Sequence, residues 1–130
     1  MKIGLKLPIY KIKIDAKKYR RYNRLIGEIN PIHLSKKYAQ NAGYKTIIIA
    51  GNYLFTYIPM WLIDWTGNVE NIKNITIRFD TPVYPDDEIV HEGEVKEITE
   101  SINEKIVRCN YSIRNTSGEI TAIGEIILSF

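Results

Sequence analysis

The chain has 130 residues and a net charge of +3, so it is long enough to bury one core and too short for two, and we expect a single domain over residues 1–130. A hydrophobic share of 45% and a charged share of 25% are ordinary for a soluble protein, and the modest charge does not argue for nucleic-acid binding. The single cysteine, Cys109, excludes an internal disulfide and a cysteine-based zinc site, and with only two histidines a histidine-rich metal site is not expected.

Two segments of the sequence bear on the cellular location of the protein. Residues 1–6 have no long apolar core and no small-residue cleavage site, so we expect no signal peptide and a cytoplasmic protein. Residues 46–63 carry no charge over eighteen positions, the length at which a membrane span is considered. Gly51, Asn52 and Pro59 interrupt this segment, and no Lys/Arg cluster flanks it. A buried helix, without membrane contact, is therefore the better interpretation.

The first strand and helix are marked by simple patterns. Residues 10–14 alternate apolar and charged side chains, which predicts a half-buried strand. Asp15 is a typical N-cap, and apolar residues then recur at helical spacing until Gly27 ends the helix. The other side of this helix is strongly basic and carries Lys17, Lys18, Arg20, Arg21 and Arg24. Such a face is usually only solvated, although it can also be a docking site for anions.

An Asn-Pro turn follows, with a carboxylate and an imidazole on either side. Glu28 and His33 are five residues apart, across Asn30 and Pro31. Proline fixes its own φ and pushes the preceding residue towards extended geometry, so a tight, rigid turn is expected instead of a helix. A carboxylate and an imidazole that converge in this way can perform acid–base chemistry on water. The alternative is a structural histidine whose hydrogen bonds only stabilise the turn, next to a surface carboxylate.

A short helix and a long apolar helix are predicted next. Ser35 is a suitable N-cap for the short helix, and Gly43 a suitable end. Gly51 begins a segment to Trp65 that is apolar nearly all round, as expected of a central, wrapped helix. Pro59 removes one backbone hydrogen bond in its middle and predicts a kink or break there.

From residue 71 onward the apolar period changes to two, which predicts strands. The expected elements are a strand at 75–79, an irregular segment at 82–87, a strand at 89–98 bulged at Gly93, a strand at 107–113, a turn at 115–118 and a last strand at 122–130 with Phe130 in its inner row. His91 is expected to be structural or solvated, and Cys109 to be a small buried hydrophobe. This order predicts an α+β fold in which a curved antiparallel sheet wraps a long central helix, and the last strand offers an edge for dimerisation.

Three segments carry a resemblance to a known family. Residues 27–33, Gly-Glu-Ile-Asn-Pro-Ile-His, with Ser35 and Ala39, resemble the G-D-x-N-P-[apolar]-H-x-D-x-x-x-A signature of MaoC-like hydratases and dehydratases. Residues 50–52, Ala-Gly-Asn, stand where that family has His-Gly-Met at the start of its central helix. Residues 77–87 are similar to its R-F-x-x-P-V-x-P-G-D segment. The three motifs place residues 10–130 in family order and imply a hot-dog fold.

The resemblance also implies a reaction. Members of the family hydrate 2-enoyl thioesters reversibly or dehydrate (3R)-hydroxyacyl thioesters, so a hydro-lyase of fatty acid metabolism is expected, with a coenzyme A or carrier-protein thioester as substrate and no metal or redox cofactor. By the resemblance, Glu28 and His33 hold the reacting water, and the backbone N–H of Gly51 donates to the thioester carbonyl. Asn30 and Asn52 are expected at the substrate for the same reason.

Departures from the family pattern leave alternatives open. Glu28 replaces an aspartate, and its additional methylene can move the carboxylate by about 1 Å, a displacement that can lower a rate about 100-fold. Ala50 and Asn52 replace the His and Met, and Asp86 replaces a turn glycine, which aspartate tolerates. The main alternative is a non-catalytic hot-dog subunit that binds an acyl thioester or stabilises a catalytic partner; a thioesterase is less favoured. A homodimer and a heterodimer with a related hot-dog chain both remain open, as does docking of coenzyme A phosphates or an acidic carrier protein on the basic helix face.

Overall fold

Five strands and four α-helices make up the protein in the computed structural model, which describes residues 1–130. In chain order they are β1 Tyr10–Lys13, α1 Ala16–Ile26, α2 Lys36–Asn41, α3 Gly51–Phe55, α4 Tyr57–Thr66, β2 Ile72–Phe79, β3 Glu88–Glu100, β4 Lys105–Arg114 and β5 Ile120–Ser129, with 3-10 helices at Pro31–His33 and Val69–Asn71.

The strands form one antiparallel sheet in the order β1-β3-β4-β5-β2, and α4 packs against its inner face. Trp61 of α4 is 2% exposed, and its ring lies 6.2 Å from that of Tyr111 on β4. On β4 every second residue from Val107 to Ile113 is buried, Cys109 among them, as the alternation predicted. The predicted α+β fold with a central helix against an antiparallel sheet is confirmed.

Local capping chemistry explains where the first helices begin and end. The Asp15 carboxylate accepts a hydrogen bond from the Lys18 N–H at 2.9 Å, and Gly27 ends α1 in the left-handed region at φ 68°. The Ser35 hydroxyl accepts from the Tyr38 N–H at 3.1 Å and begins α2. Asp86 also adopts a left-handed conformation, at φ 70°, in place of the family's glycine.

The long apolar helix is divided, but not at Pro59 as predicted. The interruption lies at Thr56, between α3 and α4. Pro59 cannot donate to the carbonyl four residues earlier, that of Phe55, and its ring crowds that position, so the helix breaks one turn before the proline. Pro59 then stands in the first turn of α4, where no backbone donor is needed. None of the helices combines the length and the apolar character that crossing a bilayer requires.

Three predictions for the strands are wrong. The bulge in β3 lies between Val95 and Glu97 and not at Gly93, whose role is steric: a Cβ there would lie 3.0 Å from the Asn110 carbonyl oxygen. Phe130 lies beyond the end of β5 and is 44% exposed, so it does not belong to the inner row. The last strand is also internal to the sheet, and the free edges belong to β1 and β2.

His91 is a buried structural residue, the first of the two roles expected for it. It is 0% exposed, and its Nδ1 lies 3.1 Å from the Tyr10 carbonyl oxygen. Its Nε2 is buried and has no hydrogen-bond partner. Burial lowers the pKa of His91 to about 4, partly opposed by the hydrogen bond to Tyr10, so the imidazole is neutral at pH 7.

Candidate active site

The Asn-Pro segment forms the tight turn that the sequence predicts. The Glu28 N–H donates to the Asn23 carbonyl at 2.9 Å, and Glu28 Oε1 accepts from the Asn30 N–H at 3.0 Å. Asn30 in turn caps the 3-10 helix, because its Oδ1 accepts from the Ile32 N–H at 3.2 Å. Pro31 occupies the first position of this helix and His33 the last. The turn is therefore fixed by its own hydrogen bonds on both sides of the proline.

His33 is oriented by a backbone carbonyl from a distant part of the chain. Its Nδ1 lies 2.9 Å from the Ile48 carbonyl oxygen, and its own carbonyl accepts from the amide of the buried Asn23 at 3.4 Å. Because a carbonyl oxygen can only accept, Nδ1 carries the hydrogen in this contact. The Nε2 makes no hydrogen bond within the protein, so in the neutral ring it offers a lone pair.

A buried tyrosine that the sequence did not single out links the histidine segment to the start of α3. The Tyr19 hydroxyl donates to the Ile48 carbonyl at 3.0 Å and accepts from the Ala50 N–H at 2.8 Å. Tyr19 is 0% exposed, and burial raises its pKa, so the hydroxyl keeps its proton. The sequence shows only a tyrosine at a core position of α1. A buried tyrosine hydroxyl needs a hydrogen-bond partner, but the sequence does not say which one.

Gly51 is the first residue of α3, and its N–H donates to no protein atom. A Cβ at this position would lie 2.6 Å from the ring of Phe79, so the ring packs directly on the glycine. Phe79 ends β2 and is 43% exposed. A larger residue at position 51 would force this ring to move.

The three motifs found in the sequence meet at one cavity of about 260 Å³. His33 lines it from the first motif, Gly51 from the second and Phe79, with residues 80–83, from the third. The remaining wall is formed by Tyr44, Ile48, Ile49 and Leu54. A histidine, a glycine with a free backbone N–H and an apolar wall thus line one open cavity, which is the composition expected of a small-molecule site.

The other predicted site residues do not line this cavity. Glu28 is half-buried, with Oε1 bound to the Asn30 N–H and Oε2 without a hydrogen bond. Asn30 is exposed and caps the turn, and Asn52 is exposed without a side-chain hydrogen bond. The structure therefore brings His33 and Gly51 to one cavity, and Glu28, Asn30 and Asn52 are not among the residues that line it.

The largest depression, about 510 Å³, lies elsewhere, over β2, β4 and β5. It contains no predicted site residue, and its one carboxylate, Glu125, is paired with Arg108 at 3.3 Å. No group of three or more His, Cys, Asp or Glu side chains is placed to hold a metal ion. The smaller cavity is the better candidate because it alone joins residues from all three motifs.

Comparison with known proteins agrees with this architecture. Residues 3–116 match the family model described as a MaoC-like domain. A curated relative, the mitochondrial 3-hydroxyacyl-[acyl-carrier-protein] dehydratase FERN of Solanum lycopersicum, is 25% identical over 104 residues, which are 80% of this chain and 62% of that protein. The chain thus spans less than two thirds of the length of this relative.

Two solved structures show the same fold. The (R)-hydratase of A. caviae involved in PHA biosynthesis superimposes with a TM-score of 0.84 at 21% identity, over 98% of this chain and 96% of that one. A chain of the ChsH1-ChsH2 complex of Mycobacterium tuberculosis gives a TM-score of 0.83 at 23% identity, over 98% and 97%. The expected hot-dog fold is confirmed.

Proposed function

Because the chain belongs to the MaoC-like dehydratase family, we propose that it catalyses the reversible hydration of a 2-enoyl thioester, which in the other direction is the dehydration of a (3R)-hydroxyacyl thioester. One observation supports this most strongly: the imidazole of His33, with an uncommitted Nε2, and the uncommitted N–H of Gly51 line the same cavity. A base for water and a donor for a carbonyl oxygen are the two groups that this reaction needs.

In the proposed hydration, His33 Nε2 removes a proton from water as the water oxygen bonds to the β-carbon. The electron pair of the double bond moves towards the thioester, and the developing negative charge on its carbonyl oxygen is stabilised by the Gly51 N–H. The proton held by His33 then passes by way of the Glu28 carboxylate to the α-carbon, so the net addition is one water across the double bond and both side chains return to their starting state. Dehydration follows the same steps in reverse.

Glu28 is assigned the second role, to orient the water and to exchange the α-carbon proton. The support is its position in the same turn as His33 and its free Oε2, while Oε1 stays on the Asn30 N–H. Glutamate and aspartate have similar intrinsic pKa values, so the acid–base chemistry is preserved by the substitution. Asn30 then acts as a positioning residue for Glu28, and Asn52 is left without an assigned contact.

The proposed acyl group is short. A volume of about 260 Å³ corresponds to about nine water molecules at roughly 30 Å³ each, which is small for a ligand pocket. The side chains of Leu54 and Tyr44 are among those that line the cavity and limit its size. Substrates with a few acyl carbons are therefore expected to react faster than long-chain ones.

We further propose that the protein pairs with a second hot-dog chain, either its own copy or a related one. Support comes from the free edge of the eight-residue β2 strand and from the neighbour solved as a ChsH1-ChsH2 complex. Light scattering after size-exclusion chromatography tests this, and a monomer that remains active would contradict it.

The test of the reaction is a direct assay with crotonyl-CoA, followed by loss of enoyl absorbance. His33→Ala and Glu28→Gln are expected to lower kcat by about 100-fold or more, in keeping with the usual contribution of an acid–base group. Glu92→Gln is the matched control, because it neutralises an exposed carboxylate on β3 and should leave the rate unchanged. Circular dichroism verifies that each variant is folded.

Three further outcomes are informative. A folded protein inactive with every chain length, alone and with a related chain, would overturn the proposal in favour of a non-catalytic binding subunit. Activity that appears only after co-expression with a related hot-dog chain would identify a heteromeric dehydratase. A faster Glu28→Asp variant would show that the additional methylene of glutamate lowers the rate of the reaction.

A further inference from the structure

A single buried residue of α1 is hydrogen-bonded to both members of the proposed acid–base pair. The backbone carbonyl of Asn23 accepts from the Glu28 N–H at 2.9 Å. The side-chain Nδ2 of the same residue donates to the His33 carbonyl at 3.4 Å. Hydrogen bonds at a catalytic site are often long before the substrate is bound, so this second distance is compatible with a role there. Asn23 therefore lies between Glu28 and His33 and holds the backbone of each.

The bond to Glu28 belongs to the way in which α1 ends. Gly27 adopts a left-handed conformation, and its N–H donates to the Arg24 carbonyl, while the Glu28 N–H reaches back to the Asn23 carbonyl. These two bonds form the Schellman motif that is common at helix C-termini. Because only main-chain atoms make it, the motif fixes where the Glu28 backbone leaves the helix, whichever side chain stands at position 23.

The bond to His33 depends on the asparagine side chain alone. The carbonyl oxygen of His33 can only accept, so the amide must present Nδ2 to it and turn Oδ1 elsewhere. Asn23 is 3% exposed, and its Oδ1 is buried without a hydrogen-bond partner. A buried oxygen in this state lowers stability, and a leucine of similar shape would avoid the penalty. A local rule that is broken in this way is expected at a functional site.

The Asn23 side chain also makes the connection between the helix and the catalytic turn. No other hydrogen bond joins α1 to the 3-10 helix that ends at His33. The side chains of Glu28 and His33 make no hydrogen bond to each other, so their separation depends on how the turn is held against α1. A displacement of about 1 Å between catalytic groups can lower a rate about 100-fold.

We propose that Asn23 is a positioning residue, whose amide holds the His33 segment against α1 at the separation from Glu28 that acid–base catalysis needs. This rests on the proposed function and adds to it a residue that touches neither the water nor the thioester. Asn23 is not among the residues that line the cavity, so it acts on the chemical step and not on substrate binding.

The test is Asn23→Leu, which keeps the approximate shape of the side chain and removes the donor. In the crotonyl-CoA assay kcat is expected to fall about 10- to 100-fold, because the two catalytic groups lose their fixed separation. KM should not change, since no residue of the cavity wall is altered. The midpoint of urea denaturation should be equal to or higher than that of the wild type, because the unpartnered buried oxygen is removed together with the donor.

Thr66→Val is the matched control for the loss of a side-chain donor. The Thr66 hydroxyl donates to the Leu62 carbonyl at 2.8 Å, at the end of α4, and neither residue lines the cavity. Its kcat should equal that of the wild type. Asn23→Ala serves if the leucine variant does not fold, because the smaller side chain cannot overpack the site. Its kcat should fall in the same way, again with KM unchanged.

Three results would overturn the proposal: an unchanged kcat in the variants of Asn23, equal kcat changes in Asn23→Leu and Thr66→Val, or a rise in KM without a fall in kcat. A lower denaturation midpoint with an unchanged kcat would identify a purely structural contact. Nitrogen-15 NMR of the imidazole rings is an independent readout, in which Asn23→Leu should shift the His33 signals and Thr66→Val should not. If the wild type turns over no thioester, the proposed function fails. A selective shift of the His33 signals would then still support positioning by Asn23, and unchanged signals would contradict it.

Discussion

The Nδ1 of His33 lies 2.9 Å from the carbonyl oxygen of Ile48, fifteen residues along the chain. This hydrogen bond fixes the ring plane and places the hydrogen on Nδ1, so the neutral ring keeps its lone pair on Nε2. We therefore expect His33 to be the Nδ1–H tautomer in the neutral state. Nitrogen-15 NMR of the imidazole rings measures this directly. His91 also has its Nδ1 at a backbone carbonyl, and a His91→Gln variant assigns the two signals. A protonated Nε2 in neutral His33 would contradict the proposed base.

Tyr19→Phe should weaken both stability and activity. The change removes the hydroxyl that joins the Ile48 carbonyl to the Ala50 N–H, and the buried N–H is left without a partner. A loss of about 1–3 kcal/mol in the free energy of unfolding is expected, measured by urea denaturation. Because residues 48–50 connect the His33 contact to Gly51, a decrease in kcat of about 10- to 100-fold is also expected.

Tyr22→Phe is the control for this experiment. Tyr22 lies on the same helix and its hydroxyl makes no hydrogen bond, so removal of that hydroxyl should change neither quantity appreciably. Equal behaviour of the two variants would show that the Tyr19 bridge has no role in the site.

Gly51→Ala should disturb the cavity through Phe79. The new Cβ would lie 2.6 Å from the ring, so the ring has to move, and overpacking of this kind destabilises a protein by about 1–3 kcal/mol. We expect the double variant Gly51→Ala/Phe79→Ala to be more stable than the sum of the two single changes predicts, because the clash is absent. A double-mutant cycle from denaturation curves measures this coupling, and additive effects would refute the proposed contact.

The buried imidazole of His91 should make stability depend on pH. Its pKa of about 4 in the folded protein is below the value of about 6.5 for an exposed histidine, so between these values the unfolded chain binds more protons. The free energy of unfolding is therefore unaffected above about pH 6.5 and falls below it. A loss of about 2 kcal/mol between pH 7 and pH 5 is expected from this residue.

Comparison with His91→Gln isolates this effect from the titration of carboxylates. The variant cannot gain a proton at position 91, so its stability should fall less than that of the wild type over the same interval. Parallel curves from urea denaturation at pH 7, 6 and 5 would show that His91 does not control the pH dependence.

Local chemistry is what the sequence predicted best. Asp15, Gly27 and Ser35 act on residues within a few positions of themselves, so their capping roles follow from residue type and spacing. The meeting of His33 and Gly51 at one cavity became predictable only through the family motifs, because no local rule joins residues eighteen positions apart.

Contacts to distant backbone atoms were beyond sequence reasoning. Tyr19 binds the carbonyl of a residue 29 positions away, and a backbone carbonyl has no residue-specific signal. The order of strands in the sheet, which makes β5 internal, depends on pairings that each strand alone does not specify. The helix breaks at Thr56 and not at Pro59, because the proline ring crowds the backbone one turn towards the N-terminus.

The shared Ile48 carbonyl has a practical consequence for changing the substrate range. It accepts from both Tyr19 and His33, so any insertion or substitution that shifts residues 46–50 is expected to move the proposed base and the proposed carbonyl donor together. Leu54 and Tyr44 also line the cavity, and neither makes a side-chain hydrogen bond. Replacing them should therefore leave the hydrogen bonds to the Ile48 carbonyl intact. Libraries aimed at longer acyl groups should therefore vary positions 44 and 54 and leave the connecting segment untouched.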